Sequence, residues 1–453
     1  MVGFVDREYE LGELEKLWRE KSAAFVVLYG RRRVGKSRLI QEFLNGKKSI
    51  YFIAEDNNKK VQIAEFKKKV AEFFNDSFLL EVQINEWSEL FEYLKKIVPS
   101  NEKLCIAIDE FSYFVKNDHA ILSVLQKFWD IFLSKTKVVF LVSGSIFGLM
   151  SEQVLSSASP LYGRRDRDFL LLPFTHKDSL IFLKMKNEDM AAAYFSIGGV
   201  PEYLLKASRH SNSNDFFAAE FFKKDGYFYR EPYYLLSQEF KEIKTYFTIL
   251  NAISFGNTKP TDIANFAGVK TREIYPYLES LIRLNFVRRE ISIFGKRQNG
   301  IYSIKDALFD FWFNFVYQNR ESIEKGFFEA DKNSLETFFG KRFEIMVREE
   351  IAHLAVPFKF EKIGRWWFKD KEIDIVAFSE KTSEIFFAEC KWKNNVNAMQ
   401  VVKELSEKTK FVQWNTNGRK EYFAIFAKSF SKKITEFEGK KVICLDLPDI
   451  LKK

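Results

Sequence analysis

The feature that most constrains the fold is a glycine-bounded segment between a short apolar run and a helical pattern. The segment is Gly30-Arg31-Arg32-Arg33-Val34-Gly35-Lys36-Ser37, with Phe25–Tyr29 before it and Arg38–Leu44 after it. In such a loop, successive backbone N–H groups and the helix N-terminus cradle phosphate oxygens, and glycines let the backbone approach closely. The spacing matches the P-loop pattern and predicts a nucleotide-phosphate site over residues 30–38. Lys36 is expected to pair with the β- and γ-phosphates, and Ser37 to ligate Mg²⁺.

A buried strand that ends in acidic residues is expected to complete such a site. Leu104–Ile108 is apolar and is followed directly by Asp109 and Glu110. We expect Asp109 to hold Mg²⁺ through water, and Glu110 to act as general base toward the attacking water. A solvated turn is the alternative for an isolated acid pair. The position of Asp109 and Glu110, two strands after the phosphate loop, favours the functional interpretation.

Two further polar segments follow apolar runs. Val138–Val142 leads to Ser143 and Ser145, either of which could position the lytic water or sense the γ-phosphate; a plain polar strand end is the alternative. Further on, Arg164 and Arg165 could reach the γ-phosphate of a neighbouring copy, as arginine fingers do. That role requires a homo-oligomer, and an ordinary surface loop is the alternative.

The length and composition set the domain count and exclude several classes. A chain of 453 residues corresponds to about three domains of roughly 150 residues. Its three cysteines stand singly in apolar runs, which argues against a disulfide scaffold or a zinc finger and fits a reducing cytosol. The longest apolar stretch, residues 138–150, is shorter than the roughly 18–20 residues of a membrane span. We therefore expect a cytoplasmic protein with no membrane association.

The basic excess is concentrated in the middle of the chain. Residues 223–300 hold 13 Lys and Arg against 8 Asp and Glu, whereas the net charge of the whole chain is +9. Residues 240–305 read as three short helices, the third over Thr271–Leu284, and a hairpin with strands of about Phe286–Ile293 and Ile301–Ile304. This order resembles a winged helix, whose third helix enters the DNA major groove. Protein contact or a rigid spacer is the alternative use. The expected DNA-binding residues begin the third helix or lie on the wing: Lys270, Thr271, Arg272, Arg288, Arg289, Lys296 and Arg297.

Acidic residues inside apolar strands mark the last part of the chain. Asp374 lies in one predicted strand and Glu389 in the next, with Lys391 two residues further on. A hairpin would bring the two acids together to bind a hard divalent cation, Mg²⁺ or Mn²⁺, while Lys391 acts on the attacking water. Glu344, on the preceding helix, is expected to face the same site. The alternative is a degenerate site kept only for binding.

Several motifs together resemble a known group of nucleotide hydrolases. Phe4-Val5-Asp6-Arg7-Glu8-Tyr9-Glu10-Leu11, the phosphate loop, Ile108-Asp109-Glu110 and Gly198-Gly199-Val200-Pro201-Glu202-Tyr203-Leu204 resemble the archaeal ATPase family of the AAA+/STAND group. The resemblance covers roughly residues 1–235. It implies a five-stranded core sheet, ATP as the nucleotide and a small helical lid. Glu202 stands where an arginine sensor would be expected.

The C-terminal acids resemble a second group. The order Glu344, Asp374, Glu389-Cys390-Lys391, with Gly364-Arg365-Trp366-Trp367 before the aspartate, resembles the PD-(D/E)XK nuclease superfamily. In particular, it resembles the domain of unnamed function that ends many archaeal ATPases. Ile373 replaces the proline of that motif, at a position that varies in the superfamily. Trp366 and Trp367 could stack on bases, although core packing is the more common use of paired tryptophans.

These interpretations predict one α/β architecture. Residues 1–175 form a P-loop core with a parallel sheet, 176–236 a helical lid, 237–330 a winged helix with an aromatic connector, and 331–453 a nuclease-like α/β domain. The predicted function is an ATPase acting on DNA, coupled to a Mg²⁺- or Mn²⁺-dependent nuclease. The alternative is an ATP-dependent regulatory or scaffold switch whose last domain binds nucleic acid without cleaving it.

Overall fold

A computed structural model of the chain describes residues 4–145, 147–240, 242–295, 300–354 and 357–452. It divides into two compact units. The first holds residues up to Phe174 together with Val200–Glu202, and the second holds Thr175–Gly199 and everything from Tyr203 onward. The finer four-part division stays a prediction.

The first unit is built on a parallel sheet of five strands. The order across the sheet is β2-β3-β4-β1-β5, and every pair is parallel. The strands are β1 Ala24–Tyr29, β2 Ser49–Ile53, β3 Leu104–Asp109, β4 Val138–Gly144 and β5 Arg167–Leu170. The predicted five-stranded α/β core is therefore confirmed.

Helices cover both faces of this sheet. In β3, Leu104, Ile106 and Ile108 face one apolar core while Cys105 and Ala107 face the other, as the two-residue period of a strand requires. Both faces of the central strands β1, β3 and β4 are thus buried, which explains why these three strands read as continuous apolar runs. The helices are α1 Glu8–Arg19, α2 Lys36–Leu44, α3 Lys59–Phe74, α4 Ser77–Glu81, α5 Trp87–Ile97, α6 Ser112–Asn117, α7 Ile121–Ile131 and α8 Phe147–Leu149.

The second unit starts with helices and a hairpin. Three helices and an antiparallel hairpin follow one another where the sequence predicted them, but the third helix starts at Ile274 instead of Thr271. The elements are α9 His176–Leu180, α10 Asn187–Ile197, α11 Pro201–Ala207, α12 Ser213–Glu220, α13 Tyr227–Glu239, α14 Ile243–Ser254, α15 Pro260–Ala267, α16 Ile274–Arg283, β6 Val287–Glu290, β7 Ile301–Ile304, α17 Ala307–Phe315, α18 Arg320–Glu324 and α19 Lys332–Glu350.

The unit ends in a mixed sheet with the order β14-β15-β12-β10-β9-β8. Its edge strand β8 holds the two tryptophans, which the sequence had not placed in a strand; Trp366 is buried in the core and confirms the packing interpretation for that residue. The elements are β8 Lys362–Phe368, β9 Lys371–Ser379, β10 Glu384–Lys391, β11 Val396–Asn397, α20 Ala398–Thr409, β12 Lys420–Ala427, β13 Phe430–Lys432, β14 Glu436–Phe437, β15 Lys440–Asp446 and α21 Leu447–Lys452.

The segment after β6 attaches to this mixed sheet. The backbone N–H of Ile293 donates to the carbonyl of Arg365 at 2.9 Å, and the N–H of Trp367 donates to the Ser292 hydroxyl at 3.1 Å. The Phe294 ring lies 5.1 Å from that of Phe378. The first strand of the hairpin therefore ends at Glu290, and does not run to Ile293 as the sequence predicted, because the following residues pair with β8.

Among the residues that the structure describes, no helix combines the length and apolarity needed to cross a bilayer.

Candidate functional sites

The phosphate loop has the backbone geometry that its glycines allow. Gly30 has φ 150°, and a Cβ there would lie 2.4 Å from the carbonyl oxygen of Leu171. Gly35 caps α2 with φ 97°, in the left-handed region. Lys36 begins the helix, is buried, and donates to the carbonyls of Gly30 and Arg31 at 2.9 and 3.0 Å. Its ammonium is thus held inside the loop, where phosphate oxygens would be cradled.

The other predicted loop residues have mixed surroundings. Val34 is fully buried in the core and anchors the loop, whereas Ser37 and Arg38 are exposed at the start of α2. Arg31 is half-buried, and Arg32 contacts the hydroxyl of Tyr113. The Arg33 guanidinium pairs with Glu202 at 3.2 Å. Glu202, at the position where an arginine sensor was expected, therefore contacts the phosphate loop, a pairing that the sequence did not indicate.

Asp109 and Ser37 both interact with the hydroxyl of Tyr51. The Asp109 carboxylate is buried and accepts hydrogen bonds from Tyr51 at 2.8 Å and from Ser143. Burial and the neighbouring Asp109 carboxylate raise the pKa of Tyr51, whose hydroxyl also interacts with Ser37. The two predicted Mg²⁺ ligands are therefore neighbours, and a carboxylate with a hydroxyl is an oxygen donor set that suits Mg²⁺.

Glu110 is held in position by the strand next to it. Its backbone has φ 58°, and its carboxylate accepts from the N–H and the hydroxyl of Ser145 at 3.2 and 2.5 Å. The two serines left open by the sequence bind different carboxylates, although the Ser143 hydroxyl also accepts from the backbone N–H of Glu110 at 3.3 Å. Ser143 contacts Asp109 and Ser145 orients Glu110.

The predicted finger arginines are paired within their own chain. Arg164 donates two hydrogen bonds of 2.8 Å to Asp130, and Arg165 donates to Asp168 at 2.7 Å. Their action on a neighbouring copy stays a prediction.

The C-terminal acids lie close together on adjacent antiparallel strands. Ile375 pairs with Ala388, so Asp374 and Glu389 come next in register, and the N–H of Cys390 donates to Asp374 at 2.8 Å. Burial, followed by the negative charge of Glu389, raises the pKa of Asp374 to about 7. Burial, followed by the charge of Asp374, raises the pKa of Glu344 to about 8. All three acids belong to one site.

Two lysines neutralise Glu389. Lys391 pairs with one carboxylate oxygen at 2.7 Å and Lys408 with the other at 2.6 Å. Lys408, which belongs to α20, was not among the residues predicted for this site. A signal was present, because Val401, Leu405 and Lys408 share one helical face and the first two are buried against the sheet.

The carboxylates of this site could supply part, but not all, of the ligand shell of a divalent cation. Within the described ranges, no three or more His, Cys, Asp or Glu side chains form a ready metal cage. Mg²⁺ commonly uses one or two carboxylates and completes its shell with water and substrate phosphate. Asp374 and Glu389 provide two such carboxylates on adjacent strands.

The unfolding free energy of the second unit should fall with rising pH when divalent cations are absent. Asp374 and Glu344 have folded pKa values of about 7 and 8, above those of an unfolded chain, so the folded state retains protons that the unfolded state has lost. Between pH 5.5 and 8.5 we expect a loss on the order of a few kcal/mol, measured by urea unfolding. Mn²⁺ should restore more stability at pH 8.5 than at pH 5.5, because its ligands must be deprotonated.

The control is the double variant Asp374→Asn/Glu344→Gln. It should show a flatter pH profile and little stabilisation by Mn²⁺. An equal response to Mn²⁺ in this variant would assign the metal to another site.

The predicted DNA-binding residues other than Arg288 separate into three groups. Lys270, Thr271 and Arg272 are exposed, but they lie in the turn that precedes α16. Arg289 is also exposed on β6. Lys296 and Arg297 lie outside the described residues.

Arg288 lies on β6 of the predicted wing, but its side chain does not face solvent as the predicted phosphate contact requires. Its side chain is only 17% exposed and pairs with Glu290 and Glu349 at 3.8 and 3.9 Å. Burial lowers the pKa of Arg288 to about 10. It faces inward because adjacent strand residues point to opposite sides, and Arg289 takes the outer one. Glu290 in turn pairs with Arg348 and Arg365, at 2.6 and 3.5 Å, which ties the hairpin to the C-terminal sheet.

Comparison with known proteins identifies two family segments. Residues 4–207 match an ATPase domain found predominantly in Archaea, and residues 312–404 match a family of archaeal and bacterial proteins of unknown function. The second segment contains Glu344, Asp374, Glu389 and Lys391, but ends before Lys408.

Similar proteins cover most of the chain. An uncharacterized protein of Methanocaldococcus jannaschii is 32% identical over 457 residues, which are 98% of this chain and 99% of the relative. An uncharacterized ATP-binding protein of Pyrococcus abyssi is 28% identical over 252 residues, 46% of this chain and 73% of that protein. Among solved structures, a Walker-type ATPase of Pyrococcus abyssi superimposes with a TM-score of 0.52 at 20% identity, covering 68% of this chain and 96% of that one.

The sheet, the phosphate loop and these matches define an ATP-binding P-loop ATPase. More particularly, the chain belongs to the archaeal ATPase family in which this domain is joined to the second, functionally unassigned segment.

Proposed function

We propose that this ATPase acts on DNA and that its C-terminal domain hydrolyses phosphodiester bonds with Mg²⁺ or Mn²⁺. The observation that carries the proposal is the group formed by the buried Asp374 and Glu389 with the half-buried Glu344, Lys391 and Lys408. Buried acids whose pKa values are raised to about 7 and 8 oppose folding at neutral pH. A domain that only binds nucleic acid gains nothing from that cost, whereas a PD-(D/E)XK nuclease requires these groups.

Each residue has a distinct role in this proposal. Asp374 and Glu389 would hold the cation, which when bound supplies Lewis acidity and an activated water. Lys391 holds its Nζ beside Glu389, where it can orient that water and stabilise negative charge on the phosphate. Lys408 neutralises the other oxygen of Glu389. Glu344 keeps a proton near neutral pH and can donate a hydrogen bond to a phosphate oxygen.

Residues 243–304 would act as a winged helix that holds the DNA. The exposed Lys270, Thr271, Arg272 and Arg289 are suited to phosphate contacts. Because the segment after β6 is hydrogen-bonded to β8, DNA held here would be fixed relative to the sheet that holds the acids. Because the hairpin is hydrogen-bonded to β8, we expect the wing to contact the DNA backbone and not to insert deeply into a groove.

The ATP site would control this activity. Lys36 would neutralise the β- and γ-phosphates, Ser37 and Asp109 would hold Mg²⁺, and Glu110, oriented by Ser145, would activate water. Arg164 or Arg165 would reach the γ-phosphate of an adjacent copy in a homo-oligomer after leaving its acidic partner. ATP binding would in this way be coupled to assembly.

A cleavage assay on the full chain tests the proposal. Single-stranded, duplex and branched DNA are incubated with Mg²⁺, Mn²⁺ or EDTA, with and without ATP, and products are resolved by length. Cleavage that depends on the metal is expected. Tight DNA binding without product in any metal would reject the nuclease and support the non-cleaving switch.

A further inference from the structure

A cavity of about 330 Å³ in the second unit combines exposed aromatic rings with guanidinium groups, and none of its residues belongs to the sites above. It is formed by α13 and the region of α18, and its lining is Tyr229, Arg230, Tyr233, Tyr234, Arg320 and Glu324.

Two of the tyrosines present their rings to solvent. The side chains of Tyr233 and Tyr234 are 47% and 50% exposed, and their rings lie 6.4 Å apart at an angle of 74°. Adjacent aromatic side chains that are not used in the core provide faces for stacking. Nucleobases stack on such rings in single-stranded nucleic acids, whereas the bases of a duplex are occupied by their neighbours.

The two arginines supply positive charge beside these rings. Arg230 precedes Tyr233 and Tyr234 by about one helical turn. The Arg320 guanidinium lies 5.3 Å from the Trp312 ring and 5.2 Å from the Tyr317 ring, which fixes its position. Its Nε is buried and has no hydrogen-bond partner within the described part of the chain. Both guanidinium groups are close enough to the Tyr229 hydroxyl to act on its pKa.

The floor of the cavity can also recognise a base edge. The Tyr229 hydroxyl donates to Glu324 at 2.7 Å and so fixes the carboxylate. The remaining lone pairs of that carboxylate can accept from the exocyclic amine of adenine, cytosine or guanine. Two arginines against one glutamate leave the lining positive, which favours a negatively charged ligand such as a phosphate over a neutral or basic one.

We propose that this cavity binds one nucleotide of a single-stranded nucleic acid, with the base on Tyr233 and Tyr234 and the adjoining phosphate on Arg230 and Arg320. The inference rests on the proposed function only in taking nucleic acid as the partner. It places a contact for an unpaired strand on α13, separate from the winged-helix surface and from the cleavage acids.

The test measures binding of fluorescein-labelled single strands and of a duplex to the full chain in EDTA, by fluorescence anisotropy. Tyr233→Ala/Tyr234→Ala should weaken single-strand binding by about 5- to 100-fold and leave duplex binding nearly unchanged. Tyr233→Phe/Tyr234→Phe keeps the rings and should bind like wild type. Arg230→Ala should lower the salt slope of single-strand binding by about 0.7.

Phe327→Ala is the matched control, because this ring is 81% exposed in the same unit and does not line the cavity. It should not change the affinity. Unchanged single-strand binding by the alanine pair, or an equal loss for single strands and duplex, would overturn the inference. Displacement of the strand by micromolar 5′-AMP would identify a mononucleotide site and overturn it too.

The two proposals fail separately. Metal-dependent cleavage by wild type, together with unchanged binding by the alanine pair, rejects only the cavity. Selective loss of single-strand binding in the alanine pair, together with no cleavage by wild type, rejects only the nuclease.

Discussion

Lys36→Ala should reduce ATP hydrolysis by at least about 100-fold, a loss of the size seen when a single transition-state charge contact is removed. Lys36 is buried at the start of α2, and its ammonium is held within the loop by the carbonyls of Gly30 and Arg31. In the proposed site it is the positive charge that would pair with the β- and γ-phosphates. Alanine keeps the helix and the glycine turns but removes that charge. The measurement is phosphate release at saturating Mg²⁺ and ATP.

Lys48→Ala is the control for the same chemical change in the same unit. The Lys48 side chain is 71% exposed and pairs with exposed Glu102, so its loss should leave turnover unchanged. The unfolding midpoints of both variants should match wild type within a few degrees. Wild-type turnover in Lys36→Ala would show that another part of the chain hydrolyses ATP.

The P-loop core was predictable because its signals are local. The central strands β1, β3 and β4 are apolar on both faces, and the glycine spacing defines the turn between β1 and α2. Strand β8 was harder to recognise because it begins and ends with exposed residues, and its charged and aromatic residues resemble a loop. The early end of β6 could not be predicted at all, because it depends on a hydrogen-bonded partner about 70 residues away.

The residues of the candidate sites also differ in whether local sequence signals or tertiary packing determine their positions. Asp374 and Glu389 were predictable because they lie in two neighbouring apolar strands, which form a hairpin and bring equivalent positions together. Lys408 reaches Glu389 only through the packing of α20 on the sheet, and Glu202 reaches Arg33 across 169 residues. Because Arg288 and Arg289 are adjacent in a strand, their side chains lie on opposite faces, and one of the two had to face inward. Which one did so was set by Glu290 and Glu349, whose positions the sequence does not give.

Asp374→Asn should abolish metal-dependent DNA cleavage, with a loss of at least about 1,000-fold, while ATP hydrolysis and DNA affinity remain within about 2-fold of wild type. The amide keeps the size of the side chain and can still accept from the N–H of Cys390, so the strand pairing of β9 and β10 is preserved. What it removes is one of two carboxylates that the cation requires. Cleavage is measured under single-turnover conditions in Mn²⁺, which separates chemistry from product release.

Asp370→Asn is the matched control, because Asp370 precedes β9 by one residue and its side chain is 83% exposed. It should cleave like wild type. Cleavage by Asp374→Asn at the wild-type rate would mean that the acids of this site do not act on DNA. If wild type itself gave no product, yet Asp374→Asn abolished stabilisation by Mn²⁺, the site would be a cation site without chemistry. The raised pKa of Asp374 would then serve metal-dependent folding of the second unit, and the non-cleaving switch would be the correct function.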